Sequence, residues 1–372
     1  MAGRGRFAPS PTGLLHLGNA RTALLAWLDA RAGGGTFVMR VEDLDRARVQ
    51  PGAEAQQLDD LRWLGLDWDE GPDVGGPFAP YRQSARAPFH DAAVARLLAD
   101  GRAFLCACSR ADVARAASAP HDGEGAGEPR YPGTCRGQAA SEVQARAAAQ
   151  GRAPAVRFDG RRERVAFTDE VAGPIALTEL GFAQRSRRGR SKEPSQGSCL
   201  INALTELGFA QRSRRGRSKE PSQGSCLIEA EVDDFVLRRA DGTAAYQLAV
   251  VVDDAAMRIT RVVRGGDLLL STPRQIALGR ALGLAIPAFA HVPLVVTPGG
   301  ERLAKRTRPP SLKSLRDGGR RPEAIVGALA ASAGLGDGAP ARPRDLLAGF
   351  ALSRLRREPA VVWLDQPGNT SG

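Results

Sequence analysis

The 372-residue sequence predicts an α/β protein, a parallel sheet interrupted by a smaller insertion and followed by a short helical part. Two observations carry this. Strand-like and helix-like segments alternate over the first hundred residues, as parallel strands joined by crossover helices require. The alternation then gives way to Cys-, Gly- and Pro-rich sequence and resumes at Asp234. The expected units are 1–102 and 234–300 as two halves of a sheet domain, 103–233 as the insertion, and 301–372 as a loop with closing helices.

The first element is RFAPSPTGLLHLGNAR, Arg6 to Arg21. A short extended run breaks at Pro9, Pro11 and Gly13. From Gly18 the spacing is helical, with Ala20, Leu24, Leu25 and Leu28 on one face. A strand, a Pro/Gly turn and a helix begun by His and Asn make a phosphate-facing geometry. The free N–H groups of the first turn and the positive end of the helix dipole point beyond the turn. Thr36–Asp43 (TFVMRVED) reads as a buried strand, with Glu42 and Asp43 at the carboxyl end, where open α/β sheets bind ligands. After Pro51, Leu58, Leu61 and Leu64 mark a helix ended by Gly65, and Ser84–Asp100 forms another closed by Gly101.

The middle begins with Phe104–Cys108 (FLCAC), a short helix, a Gly/Pro-rich linker at Pro120–Pro129, and RYPGTCRG. Strands are expected at Ala155–Phe158 and Val165–Phe167. From Asp234, FVLRRADGTAAYQLAVVVDD suggests a strand, an Asp-Gly turn and a second apolar run ending at Asp253 and Asp254, the pattern of a hairpin. Ile259–Val263 is a strand leading to Arg264, Thr272 caps a helix with Pro273 at its first position, and Phe289–Val296 is a further strand. The loop GGERLAKRTRPP and helices near Pro322–Ala333 and Arg344–Arg356 complete the chain.

Composition is that of an ordinary globular protein, and no apolar run approaches the length of a membrane span. The N-terminus has no apolar signal-peptide core, so a cytoplasmic protein with no membrane partner is expected. The net charge of +11 favours a polyanionic partner, but it needs a discount. Residues 176–201 and 203–228 are identical, and each copy carries five basic and two acidic residues, so the pair supplies +6 of the +11. Two perfect copies are a tandem duplication, not a solenoid, and their basic, Ser-rich composition suits a surface excursion.

The motifs together resemble the class I aminoacyl-tRNA synthetases, in the glutamyl subgroup. His16, Leu17, Gly18 and Asn19 occupy the positions of the first, His-Ile-Gly-His signature, with Asn for the second His. GERLAKR resembles the second, Lys-Met-Ser-Lys-Ser signature, with Arg302 for the first Lys, Ala304 for the Ser and Lys305 retained. VED, AYQLAVVVDD and VVRGGDLLLSTPRQIAL resemble the same subgroup, so the likeness extends from about Gly5 to Lys305. The resemblance implies a Rossmann-type catalytic domain with an insertion. The 67 residues after Lys305 are too few for the anticodon-binding domains of a full glutamyl enzyme. The likeness is therefore greatest to a short paralogue that activates L-glutamate with ATP and attaches it to the queuosine base at the wobble position of tRNA(Asp). A shortened glutamyl-tRNA synthetase charging tRNA(Glu), or an inactive RNA- or nucleotide-binding relative, are the alternatives.

By resemblance, His16, Gly18, Asn19 and Lys305 serve ATP and its Mg2+, and His16, Asn19 and Lys305 act in catalysis. The run Arg6, Phe7, Ala8, Pro9 and Ser10, with Glu42, Tyr246 and Arg264, serves L-glutamate. The chemistry agrees: guanidinium groups match carboxylates, and Glu42 suits the ammonium. Cys106, Cys108 and Cys135 form a cluster too tight for the common zinc spacing, but the paralogue's zinc site has this C-x-C followed by Y-x₃-C, matched by Tyr131 and Cys135. His121 or a water are alternative fourth ligands. His90, His121 and His291 match no motif position and read as structural or exposed, and Cys199 and Cys226 read as non-binding.

Overall fold

The computed structural model describes residues 3–117, 131–172, 226–297, 310–362 and 364. Its strands are β1 (Arg4–Phe7), β2 (Thr36–Met39), β3 (Ala103–Cys106), β4 (Ala155–Phe158), β5 (Arg164–Asp169), β6 (Cys226–Glu231), β7 (Val236–Arg238), β8 (Arg261–Gly265) and β9 (Ala288–Val292). β1 and β2 pair in parallel, Arg4 opposite Thr36 and Phe7 opposite Met39. β8 and β9 pair in parallel, Arg264 opposite His291, in a four-stranded sheet of order β6-β5-β9-β8. Thr260 N donates to Arg4 O at 2.9 Å, which sets β1 against β8 and aligns the carboxyl ends of β1, β2, β8 and β9. A separate antiparallel sheet, β3-β4-β7, builds the insertion.

Helix α1 (Leu17–Ala32) is buried on more than the one predicted face. Trp27 and Ala23 are as inaccessible as Leu24, Leu25 and Leu28, because the sheet lies on one side and the Pro322–Ser332 helix on the other. Arg21 of this helix is buried too, and donates to Pro293 O at 2.6 Å and to Ser332 O at 3.2 Å, tying the closing helix to the end of β9.

Several expectations are corrected. The apolar run after the Asp-Gly turn is a helix, Tyr246–Ala256, not the second strand of a hairpin. Leu248, Ala249, Val252 and Asp253 are buried with helical spacing, and an unbroken apolar run could not distinguish that period from a strand's. Thr272 is not a cap: Ser271 holds that position, and the Thr272 hydroxyl accepts a hydrogen bond from Arg264. Arg344–Arg356 forms two 3₁₀ turns, Pro343–Gly349 and Leu352–Arg354, whose leucines reach the core without a regular helix. A helix that periodicity missed, Leu312–Asp317, starts where Ser311 Oγ accepts from Ser314 N at 3.0 Å. The strand expected over Thr36–Asp43 ends at Met39, but its ladder continues, Arg40 N donating to Phe7 O and Glu42 N to Pro9 O.

The duplicated segment lies outside the described residues except for its last three. Cys226, Leu227 and Ile228 open β6 and face Asp169, Thr168 and Phe167 of β5. β5 in turn pairs with β9, and β7 with β4, so sheet pairing crosses the expected unit boundary near residue 233 in both directions. No helix among the described residues is long and apolar enough to cross a membrane.

Candidate active site

A cleft of about 650 Å³ opens at the carboxyl ends of the parallel strands. Its wall brings together every site residue predicted for glutamate or ATP except Lys305: Arg6 to Ser10, His16, Gly18, Asn19, Glu42, Tyr246 and Arg264. Lys305 and the second-signature segment lie outside the described residues. The segments flanking it both reach this place: Val295 lines the cleft, and Ser311 bridges to His16, with Leu312 N donating to Leu15 O at 2.8 Å.

One side of the cleft is the start of α1. His16 is the N-cap, and its Nδ1 accepts from Gly18 N at 3.0 Å and from Asn19 N at 3.4 Å. Asn19 Oδ1 accepts from His16 N at 3.2 Å, closing a capping box. Two consequences follow for an anion. With Nδ1 accepting, the imidazole proton sits on Nε2, and with Oδ1 occupied, the Asn19 amide has its NH₂ to donate. Burial lowers the His16 pKa against the opposing charge of Asp267, so the ring is a neutral donor near pH 7. Gly18 is required for contact reasons: a Cβ there would lie 2.9 Å from His16 Cε1 and 3.0 Å from Nδ1.

The other side is a charge network. Arg6 grips Asp254 with Nε and Nη2, at 3.2 and 3.1 Å. Arg40, wholly buried, donates to Asp254 Oδ1 at 2.6 Å and to Glu42 Oε1 at 3.1 Å. Burial would raise the Asp254 pKa, but Arg40 and Arg6 outweigh it and hold the carboxyl below its usual value. For Glu42 burial wins, and its pKa is raised despite Arg40 and Arg6, leaving a poorly solvated carboxylate that gains from a cationic ligand. Arg264 on β8 lines the same cleft as Arg6. Its Nη1 reaches Tyr246 Oη at 3.4 Å, and its Nη2 donates to Thr272 Oγ1 at 2.7 Å. Tyr246 is the first residue of its helix, which aims the phenol at the cleft.

Sequence reasoning missed four partners. Arg40 and Asp254 were visible only as members of MRVED and VVVDD. Gln57, on the Ala53–Trp63 helix, donates to Ser10 O at 3.0 Å and Gly13 O at 2.7 Å, fixing the Pro/Gly turn. His291, expected to be structural or exposed, is buried, and its Nε2 accepts from Arg264 Nε at 2.9 Å. Its partner is 27 residues away, a pairing set by strand register and invisible in local sequence.

A second cluster occupies the insertion. The Sγ atoms of Cys106, Cys108 and Cys135 lie within 4.8 Å of one another. Tyr131 Oη is 3.4 Å from Cys106 Sγ and 3.9 Å from Cys108 Sγ. Arg146 donates to Cys135 Sγ at 2.9 Å and Arg157 to Cys106 Sγ at 3.3 Å, which places two cations beside the sulfurs. Three convergent sulfurs and a phenol form a donor set able to hold a metal ion, and soft thiolates suit zinc. His121 lies outside the described residues.

The profile described as tRNA synthetases class I (E and Q), catalytic domain, matches residues 4–194 and 208–335. The chain belongs to that family. The gap in the match, 195–207, falls inside the tandem duplication. Over 359 residues the chain is 49% identical to the Glutamyl-Q tRNA(Asp) synthetase of Symbiobacterium thermophilum, covering 96% of this chain and 95% of that one. It is 42% identical to Glutamate–tRNA ligase 1 of Halorhodospira halophila over 327 residues, 87% of this chain but 57% of the ligase. Among solved structures, a glutamate tRNA ligase from Elizabethkingia meningosepticum, in complex with its amino acid, superposes with a TM-score of 0.72 at 25% identity, covering 98% of this chain and 68% of that one. The synthetase fold accounts for the cleft's position at the carboxyl ends of the parallel strands, the usual ligand site of such sheets.

Proposed function

We propose that this synthetase-family chain activates L-glutamate with ATP and transfers the glutamyl group to the queuosine base at the wobble position of tRNA(Asp). The observation that carries the reading is sequence identity. The relative named for that activity is 49% identical over 359 residues, against 42% over 327 residues for the glutamate–tRNA ligase above.

Glutamate enters with one carboxylate on Arg6 and the other on Arg264, and its ammonium at Glu42, beside Tyr246 and the backbone of Phe7 to Ser10. A carboxylate oxygen attacks the α-phosphorus of ATP. A new O–P bond forms, the bond to the bridging oxygen of the β-phosphate breaks, and pyrophosphate leaves. The protein's part is positioning and charge stabilisation. His16 Nε2–H, the Asn19 amide and the N–H groups at the start of α1 receive the phosphates, with Mg2+ accompanying ATP. Lys305 meets the charge that develops on pyrophosphate. In the second step the acceptor group of the modified base attacks the glutamyl carbonyl and AMP departs. Cys106, Cys108, Tyr131 and Cys135 would hold zinc, which would fix the insertion and take no part in the chemistry.

The test is ATP–pyrophosphate exchange with glutamate in the absence of tRNA, followed by labelled-glutamate transfer to tRNA(Asp) with and without queuosine. The expected result is tRNA-independent exchange and labelling of the modified tRNA alone. Exchange that needs tRNA(Glu), with charging of that tRNA, would assign a shortened glutamate–tRNA ligase instead.

A further inference from the structure

Arg264 is held on its inner side by groups the reaction does not touch. Its Nε donates to His291 Nε2 at 2.9 Å, from the directly opposed position on the neighbouring strand. His291 Nδ1 lies 2.5 Å from Asp169 Oδ2, and His291 N donates to Asp169 Oδ1 at 3.1 Å. Asp169 is anchored in turn by the N–H groups of Val171 at 3.0 Å and Ala172 at 2.7 Å. Both His291 and Asp169 are shielded from solvent. Phe289 is stacked on the imidazole, and the Arg264 guanidinium lies over the Phe289 ring, 5.4 Å from its centroid.

We infer that Asp169 and His291 form a positioning relay that holds Arg264 in the orientation that meets a glutamate carboxylate. The inference rests on the reading that Arg264 binds glutamate. The hydrogen-bond directions are forced. Arg264 has no acceptor, so His291 Nε2 must accept and carry no proton, and the single ring proton must lie on Nδ1, toward Asp169. The carboxylate thus selects the tautomer that can receive the guanidinium. Thr272 Oγ1, 3.1 Å from His291 Nε2 and 2.7 Å from Arg264 Nη2, and the Leu268 carbonyl, 3.3 Å from Nη2, fix the rest of the inner edge. What remains for a ligand is Nη1, on the side of Tyr246.

The arrangement makes glutamate binding acid-sensitive. A second proton on His291 removes its acceptor and places a cation against Arg264, so the guanidinium is released. Besides Asp169 and Arg264, Asp267 acts on the ring, and Tyr246, Arg6, Asp254 and Glu42 act on the guanidinium. Burial opposes the second proton and Asp169 favours it, with burial the larger effect.

The experiment measures KM for glutamate and for ATP by exchange between pH 5.5 and 8 in the wild type, His291→Gln and His291→Leu. Gln can donate to Asp169 and accept from Arg264 but cannot titrate. Wild type is expected to show a rising KM for glutamate at low pH. His291→Gln should restore a KM near the wild-type neutral value and lose the part of the acid limb that His291 contributes, leaving that of Glu42. His291→Leu should raise KM for glutamate about 10- to 100-fold, the scale of losing one hydrogen bond to a charged group, with KM for ATP unchanged. A folded His291→Leu protein with the wild-type KM for glutamate would overturn the relay. So would an acid limb in His291→Gln with the same midpoint and amplitude as the wild type, since protonation of Glu42 would then account for all of it, and this arm decides the matter if the Leu variant does not fold. Wild-type protein without glutamate-dependent exchange overturns the parent reading and the relay with it.

Discussion

Replacing Gly18 by Ala separates the catalytic role of the first-signature helix from its structural one. In an ordinary helix the change would stabilise by about 0.5–1 kcal/mol, because Ala loses less backbone freedom on folding. Here the added Cβ lies 2.9 Å from His16 Cε1 and 3.0 Å from Nδ1, so the imidazole must move. Moving it breaks the two bonds that Nδ1 accepts from Gly18 N and Asn19 N, a capping loss of about 1 kcal/mol. The two effects nearly cancel, and at roughly 2–4 °C per kcal/mol the melting temperature should change by no more than about 4 °C. Activity should not cancel. The same shift displaces His16 Nε2–H from the phosphate, and loss of one charge-stabilising donor costs about 10²–10³ in rate. Thermal unfolding and pyrophosphate exchange on the same preparation test this. Exchange within a few-fold of wild type, in a protein of unchanged melting temperature, would refute the donor role assigned to His16.

Asp254→Asn leaves Arg6 and Arg40 buried without their shared countercharge and should destabilise by about 3–5 kcal/mol, read by denaturant unfolding. In the wild type the folded Asp254 pKa lies below its unfolded value. Its contribution is therefore present above about pH 4 and lost as the pH falls through the folded pKa, which an acid titration of stability will show. Asp29 has the opposite sign. Burial pushes its pKa up from 3.8 to about 6, with Glu170 adding and Arg261 opposing. Stability is therefore lost as the pH rises from about 4 to 6, and Asp29→Asn should regain up to about 3 kcal/mol at pH 7.5 and little at pH 4. Cys135→Ser should abolish stoichiometric zinc, measured by elemental analysis, and lower the melting temperature, while the wild type should lose stability on chelation. Deleting 176–202 removes one repeat and rejoins Ile175 to an identical copy that still supplies Cys226–Ile228, the start of β6. Melting temperature and exchange should be unchanged, and a large loss of either would show that both copies are needed.

The sequence by itself determined the parts of this protein that are local. The turn Pro9–Gly13 and the start of α1 are legible, because each is fixed by neighbours within a few residues. The strand from Thr36 is legible but its end at Met39 is not, and the cysteine cluster is legible only through the family resemblance, since Cys135 is distant in sequence from Cys106 and Cys108. The identity of the cleft residues from Arg6 to Ser10, and of His16, Asn19, Glu42, Tyr246 and Arg264, followed from motifs in the same way. Periodicity failed where it carries no information, in the unbroken apolar run after Tyr246 and in the short 3₁₀ turns of the tail. Tertiary structure alone decided the charge network. Asp254 reaches Arg6 across 248 positions and Arg40 across 214, and Asp169 reaches His291 across 122. The physical reason is that a buried charge must find its partner wherever the fold supplies one, and the fold supplies Asp254 from a packed helix and Asp169 from a paired strand. The sequence named groups that line the cleft, and the register of β8, β9 and β5 determined what holds Arg264 there.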